Sequence, residues 1–179
     1  MRKVVSYMLV SVDGVAEDPD QFLFEFDDVL EANLGEVIRT QDTVLLGRRM
    51  YDEWSRYWPE SGDQPFADFI NTVRKYVATA TPLTGGWTNA HRIEGPVDGF
   101  VRDLKTKEGS DIGLHGSISL TQSLLVAGLV DEVRLLVAPR VVGRGRRLFQ
   151  ENVAHALELV HSSSSTSGSL LAHYKLIGD

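Results

Sequence analysis

Two short segments of this 179-residue chain carry residue types that hold phosphate. In Leu45-Leu46-Gly47-Arg48-Arg49 an apolar strand stops at a glycine and a helical pattern starts at once. The first amides of a helix lack intrahelical acceptors and carry partial positive charge, so they suit an anion. Glycine lets the backbone come close to a phosphate, and arginine can grip two of its oxygens. The alternative is a plain strand-to-helix turn with solvated arginines. In Ile112-Gly113-Leu114-His115-Gly116-Ser117-Ile118-Ser119, glycine and small hydroxyl residues again separate a strand from a helix. The spacing matches only part of the G-x-G-x-x-G fingerprint of dinucleotide sites. Ser117 has a second use as the helix cap, and the two uses can coexist because they draw on the same unpaired amides. Two such turns in one α/β chain point to a ligand with two phosphates, bound where strands end.

Proton transfer needs a titratable group in an unusual place. From Glu25 to Thr40 the apolar residues Phe26, Val29, Leu30, Leu34, Val37 and Ile38 recur at steps of three and four, which predicts an amphipathic helix. On its wheel Asp27 falls within the apolar stripe and Glu31 at its edge, whereas Asp28 and Glu36 point away. A carboxylate on an apolar face costs free energy unless paired, so Asp27 is the candidate proton donor or anchor for an amino-pyrimidine edge. Its competing role is structural, because acids in a first turn complement the helix dipole. His91, His115, His155, His161 and His173 lack metal-ligand spacing, so no metal site is expected. No G-x-S-x-G elbow is present. Trp54, Tyr57 and Trp58 either wall a ring-binding pocket or pack in the core. Arg144, Arg146 and Arg147 sit in a glycine turn, where solvated charge or an interface is the default.

The elements that must position these residues alternate. Strands are expected at 3–10, 43–46, 75–79, 111–115 and 132–138, and helices at 25–40, 48–57 and 96–107, with one opening at Gly116-Ser117. Residues 58–65 read as a loop, and 141–147 as a glycine-punctuated turn. Segments 156–162 and 169–177 read as a hairpin whose tip is the serine run. Alternation early and hairpins late imply an α/β fold: a mainly parallel sheet with helices on both faces and antiparallel strands at one edge. The length suits one domain over residues 1–179. The 42% hydrophobic and 24% charged fractions are those of a soluble globule, and no apolar run is long enough for a membrane helix. Absence of cysteine excludes a disulfide scaffold and a thiolate nucleophile, and fits a cytoplasmic protein. A net charge of -7 argues against nucleic acid as a partner, while leaving room for an anionic small molecule near the local clusters Arg48-Arg49 and Arg140 to Arg147.

With these pieces placed, the chain resembles the dihydrofolate-reductase-like superfamily, in the group related to the C-terminal reductase domain of bacterial riboflavin biosynthesis. The residues that carry the resemblance are Ser11-Val12-Asp13-Gly14, Leu45 to Tyr51, Leu114 to Leu120, Gly128-Leu129-Val130-Asp131-Glu132 and Pro139 to Phe149. It implies a three-layer fold around a central, mainly parallel sheet of about eight strands, and NADPH as cofactor. By resemblance, Gly47, Arg48 and Arg49 meet the cofactor phosphates, Thr79 and Thr81 lie by the 2′-phosphate, and Gly116, Ser117, Ile118 and Ser119 hold the pyrophosphate. Val10, Ser11, Gly14 and Val15 line the nicotinamide. Homodimers are common in the group. Two departures stand out. His115-Gly116 replaces a double glycine, and alignment by spacing to Gly47 does not choose among Asp27, Asp28 and Glu31. The zinc deaminase half of the full riboflavin enzyme is absent. The expected activity is an NADPH-dependent reduction of a small pterin-, folate- or aminopyrimidine-like substrate. The alternatives are a ribosylaminopyrimidine reductase acting in riboflavin biosynthesis, and a nucleotide-binding module without turnover.

Overall fold

The computed structural model describes residues 1–178. After β1 (Val4–Ser11) the chain forms α1 (Asp28–Arg39), β2 (Gln41–Gly47), α2 (Arg48–Tyr57), α3 (Phe66–Thr72), β3 (Arg74–Ala78) and β4 (Ala90–Arg92). It continues through α4 (Val97–Thr106), β5 (Asp111–His115), α5 (Ile118–Val126) and β6 (Glu132–Ala138) to a hairpin of β7 (Ala156–Ser164) and β8 (Leu170–Ile177). The strands form one sheet in the order β4-β3-β2-β5-β1-β6-β8-β7. Neighbours from β4 to β6 are parallel, and β8 is antiparallel to both β6 and β7. Only β8 therefore runs against the rest.

The direction of travel explains the layers. Parallel crossovers are right-handed, so strands added leftward and rightward put their helices on opposite faces. From β1 to β4 the chain moves one way across the sheet, and from β4 to β6 it moves back. Accordingly, α1, α2 and α3 bury Leu34, Val37, Ile38, Tyr51, Phe66 and Ile70 on one face with Val44, Leu46 and Val77. On the other face α4 and α5 bury Val101, Leu104, Leu120 and Leu124 with Leu45, Ile112 and Leu114. This is the expected three-layer architecture with its C-terminal antiparallel hairpin.

The differences from expectation are local. Helix α1 begins three residues later than the pattern suggested, because Asp27 is its cap rather than its first turn. Helix α3 was not expected. Its seven residues are too short to show a period, yet Phe66, Ala67 and Ile70 are buried. Its carboxyl end is closed by buried Lys75, whose Nζ donates to the carbonyls of Ile70 (2.7 Å) and Val73 (2.8 Å). Burial pulls this ammonium down to about 8. Strand β7 ends the sheet with Leu159 and Val160 exposed, and Leu170 and Ile177 of β8 are exposed too. Among the described residues no helix is long and apolar enough to cross a membrane.

Candidate functional site

Strands β2 and β5 are neighbours but belong to opposite legs of the chain's travel across the sheet, so the helices that follow them leave toward opposite faces. A crevice opens at the carboxyl ends of such strands. The two glycine-opened turns meet there: the Gly47 amide donates to the Ser117 hydroxyl at 2.9 Å. Ser117 occupies the cap position of α5, but its hydroxyl is turned to Gly47 instead of the helix. This corrects the expected capping role. Neither α2 nor α5 has a side-chain cap, so the first amides of both helices remain available to an anion. Gly116 is at φ +67°, and a Cβ there would lie 2.8 Å from Met50 Cε and 3.2 Å from Trp54 Cζ2. The left-handed conformation favours glycine at that position, and any Cβ there would push the flexible end of Met50 aside. At Gly47 the backbone is extended (φ −77°), and a Cβ would meet only the Ser117 side chain, Oγ at 3.6 Å and Cβ at 3.7 Å.

The side chain that replaces the first glycine of the family's pair faces the core. His115 is buried, with Nε2 2.8 Å from Gln41 Oε1 and its ring against Phe66 and Tyr7. Burial pulls the imidazole down to about 3, so it is neutral and held out of proton transfer at physiological pH.

Arg48 and Arg49 part company. Arg48 spans from Asp52 (2.9 Å) to the Thr81 hydroxyl and the Pro82 carbonyl (3.1 Å). The Thr79 and Thr81 hydroxyls are 3.2 Å apart, and Arg92 donates to the Ala80 carbonyl beside them at 3.3 Å. Arg48, Thr79, Thr81 and Arg92 thus form one polar, partly exposed rim next to the α2 start. Arg49 turns the other way, to Glu53 (2.9 Å), Glu17 (3.5 Å) and Asp18 (3.8 Å).

At the end of β1, Val10 and Ile118 share a buried cluster with Met8, Ala16 and Leu148, which joins this strand to the start of α5. Ser11 is buried and its polar groups are consumed locally. Its hydroxyl accepts from the Val15 amide (3.0 Å) and donates to Asp13 (2.7 Å). Val15 is buried against Phe22 and Ala138, and Gly14 takes the turn at φ +82°. Asp13 also accepts from the amides of Val142 (3.0 Å) and Gly143 (2.7 Å). The Val142 amide, the Ser11 hydroxyl and the Gly143 amide together lower this carboxyl to about 2. Further on, the Ala16 amide donates to the Arg146 carbonyl (2.9 Å), Glu17 accepts from the Arg146 amide (3.2 Å), and Arg146 Nη2 donates to Ser119 Oγ (2.6 Å). Segments 11–17 and 139–149 are therefore joined by hydrogen bonds beside the start of α5. Sequence reasoning gave Asp13 and Glu17 no side-chain role and read Arg146 as solvated charge or an interface. The partners of Asp13 lie 129 and 130 residues away, beyond any local signal.

Asp27 corrects the sequence reading. It is not on the buried stripe of α1. Its Oδ1 accepts from the amides of Val29 (3.1 Å) and Leu30 (3.0 Å), and its Oδ2 from the Thr166 hydroxyl (2.9 Å) and the Ser167 amide (2.8 Å). Burial alone would raise this carboxyl, but those donors hold it well below the usual carboxylate range. Four donors hold its two oxygens as a structural acceptor. Asp27 caps α1 and ties it to the β7–β8 turn, and its partners include none of the turn residues at Gly47 or Gly116. Asn caps a helix nearly as well as Asp, whereas Ala does not. Asp27→Asn keeps the helix cap but turns the other oxygen into an NH2 that faces the Ser167 amide, so it is expected to lower the unfolding midpoint less than Asp27→Ala does and to leave any turnover close to wild type. Urea unfolding beside a turnover assay checks this, and loss of turnover in the Asn variant with intact stability would return Asp27 to catalysis.

The chain is similar to known proteins along nearly its whole length. The RibD C-terminal domain matches residues 2–171. The uncharacterized Bacillus subtilis protein YyaP is 29% identical over 175 residues, covering 93% of this chain and 91% of YyaP. A Shewanella protein provisionally assigned to riboflavin biosynthesis superposes with a TM-score of 0.78 at 16% identity, covering 98% of this chain and 99% of that one. The Thermotoga maritima diaminohydroxyphosphoribosylaminopyrimidine deaminase/5-amino-6-(5-phosphoribosylamino)uracil reductase superposes with a TM-score of 0.70 at 16% identity, with 98% of this chain spanning 57% of that one. The sheet is of the dihydrofolate-reductase type read from the motifs, and the chain belongs to the RibD C-terminal domain family.

Proposed function

We propose that this protein is an NADPH-dependent reductase of a small pterin-, folate- or aminopyrimidine-like molecule. One observation carries the reading: the hydrogen bond between Gly47 and Ser117 sets two uncapped helix starts side by side, where neighbouring strands send their helices to opposite faces. A ligand with two phosphates meets backbone amides from both. The donor set fits such a ligand, with Arg48, Thr79, Thr81 and Arg92 on one side for a 2′-phosphate and Ser119 with the end of β1 on the other. When bound, the nicotinamide supplies the hydride. The chain's own residues orient the cofactor: Gly47, Gly116, Ser117, Ile118 and Ser119 through the helix starts, and Val10, Ser11, Gly14 and Val15 through a rigid turn. With Asp27 committed to its cap and His115 neutral in the core, the proton for the acceptor comes from water or from the substrate itself. Family membership favours the aminopyrimidine end of the substrate class, which is the reductase chemistry of the Thermotoga maritima relative.

Fluorescence titration tests the reading, since Trp54 packs beside Gly116. NADPH is expected to bind much more tightly than NADH. Arg48→Ala should weaken NADPH by about 1.5–3 kcal/mol, the range for a hydrogen bond to a charged group, and NADH by less. Equal affinity for the two cofactors, or no effect of the substitution, overturns the assignment. If NADPH binds but neither dihydrofolate nor the ribosylaminopyrimidine intermediate is reduced, the protein is a nucleotide-binding module. The same reading includes a homodimer, supported by the exposed apolar residues Leu159, Val160, Leu170 and Ile177 on the terminal hairpin. Sedimentation velocity at micromolar concentration checks it, and a monomer there removes that part.

A further inference from the structure

The segment that turns from β5 into α5 passes from the α3 face of the sheet to the α5 face, and it is pinned on both. On the α5 face Ile118 is buried with Met8, Val10, Ala16 and Leu148. On the α3 face the pin is the buried His115, whose ring lies 6.0, 5.3 and 6.1 Å from those of Tyr7, Phe66 and Phe69. Gly116, in the left-handed conformation, stands between the two pins. An imidazole in such a place costs free energy unless it is hydrogen-bonded. Here its Nε2 is bonded to Gln41 Oε1 at 2.8 Å.

That bond depends on a slot in the sheet. Gln41 opens β2, 74 residues before His115, and its side chain reaches the far end of β5 by lying over Gly113. A Cβ on Gly113 would overlap Gln41 Oε1 and lie 2.7 Å from Gln41 Cδ and 2.9 Å from His115 Nε2. Glycine weakens the interior of a strand, but at this position it leaves the space in which the two polar groups meet. The register of β2 on β5 also shifts between Gln41 and Thr43, which sets Gln41 off the regular ladder. Beyond His115 the contacts continue. Its carbonyl accepts from the Ser117 amide (2.8 Å), and the Ser117 hydroxyl accepts from the Gly47 amide (2.9 Å). Gln41 and Gly47 are the first and last residues of β2, so this one strand holds the turn at both ends.

We infer that His115 is a positioning residue for the dinucleotide site: its tether to Gln41 sets where Ser117, and with it the first amides of α5, stand against Gly47. The role in binding rests on the proposed function, whereas the tether stands on the contacts alone.

Two unrelated changes break the same bond. Gln41→Leu removes the acceptor, and Gly113→Ala fills the slot while leaving both partners in the chain. Amide hydrogen exchange followed by NMR reads the Gly47 amide with no ligand present. Both variants are expected to speed exchange at Gly47 by about two- to ten-fold relative to amides of the β6–β8 pairing, the range for loss of one neutral hydrogen bond. NADPH should weaken by a similar factor in the fluorescence titration. Adenosine 2′-monophosphate, which has no pyrophosphate and needs only the Arg48 rim, should keep its wild-type affinity. Unchanged exchange at Gly47 in both variants overturns the inference. So does a uniform rise in exchange across the sheet, or an equal loss of NADPH and adenosine 2′-monophosphate, since each makes His115 a packing residue only. Faster exchange at Gly47 with unchanged NADPH affinity removes the positioning role. Should wild type bind no NADPH while exchange at Gly47 still depends on Gln41 and Gly113, the tether stands and the reductase reading falls.

Discussion

Gly116→Val is expected to lower stability by about 3–5 kcal/mol and to remove the dinucleotide binding proposed above. The left-handed conformation at φ +67° costs a side-chain-bearing residue about 1–2 kcal/mol, and more when the side chain is β-branched. The new atoms also collide with Met50 and Trp54, and overpacking of this kind costs about 1–3 kcal/mol. Gly116→Ala is milder, because its closest neighbour is the flexible end of Met50, which can shift. Combining Gly116→Ala with Met50→Ala should relieve the steric part and leave the conformational part, so the double variant reports how the two costs divide. Urea midpoints measure the stability, and the fluorescence titration measures binding. The turn holds Ser117 against Gly47, so a shift at residue 116 pulls the two helix starts apart. A fully stable Gly116→Val protein contradicts this account of the turn.

Glu132→Ala is expected to cost about 2–4 kcal/mol at neutral pH without touching the crevice. Glu132 opens β6 at the amino end of the sheet, far from the carboxyl ends that form the candidate site. Its carboxylate is buried, 5% exposed, and is met by Lys3 (2.7 Å), His173 (2.8 Å) and Arg134 (3.4 Å). Removing one member of a buried ion pair costs about 3–5 kcal/mol, and solvent at the half-exposed Lys3 reduces that here. Burial alone would raise this carboxyl, but the Lys3 hydrogen bond and the charges of Lys3, His173 and Arg134 bring it below the ordinary glutamate value. A group whose folded pKa is depressed contributes stability above its unfolded pKa and loses it as the pH falls through the folded one. Wild type and Glu132→Gln should therefore differ fully near neutrality, with the gap narrowing as the pH falls below the ordinary glutamate value of about 4.3. Denaturation curves from pH 3 to 8 read this directly. A gap that stays constant across that range would mean the ion cluster contributes nothing.

The two turns at Gly47 and Gly116 were legible because they combine strand and helix periodicities with glycine punctuation, all of which act over a few residues. Strands β5 and β6 and helix α2 coincide with their sequence readings for the same reason. Helix α3 was hidden because seven residues after a proline show no full period. Asp27 was misplaced because a helical wheel assumes the helix already includes it. The donors that engage it, Thr166 and Ser167, come from the far end of the chain. Arg48 and Arg49 look equivalent in sequence, yet they point to opposite sides of α2.

By itself the sequence determined the alternation of strands and helices, the faces those helices cover and the existence of two anion-ready helix starts. These follow from local hydrophobic period, backbone chirality and the handedness of crossovers. Tertiary structure alone decided that the two starts touch, that Asp27 is spent on a cap and that Asp13 locks two distant loops together. Each of those depends on hydrogen-bond partners and exclusion of space between segments more than a hundred residues apart or on opposite sides of the sheet, and a carboxylate or guanidinium has no fixed chemical role until such neighbours are in place.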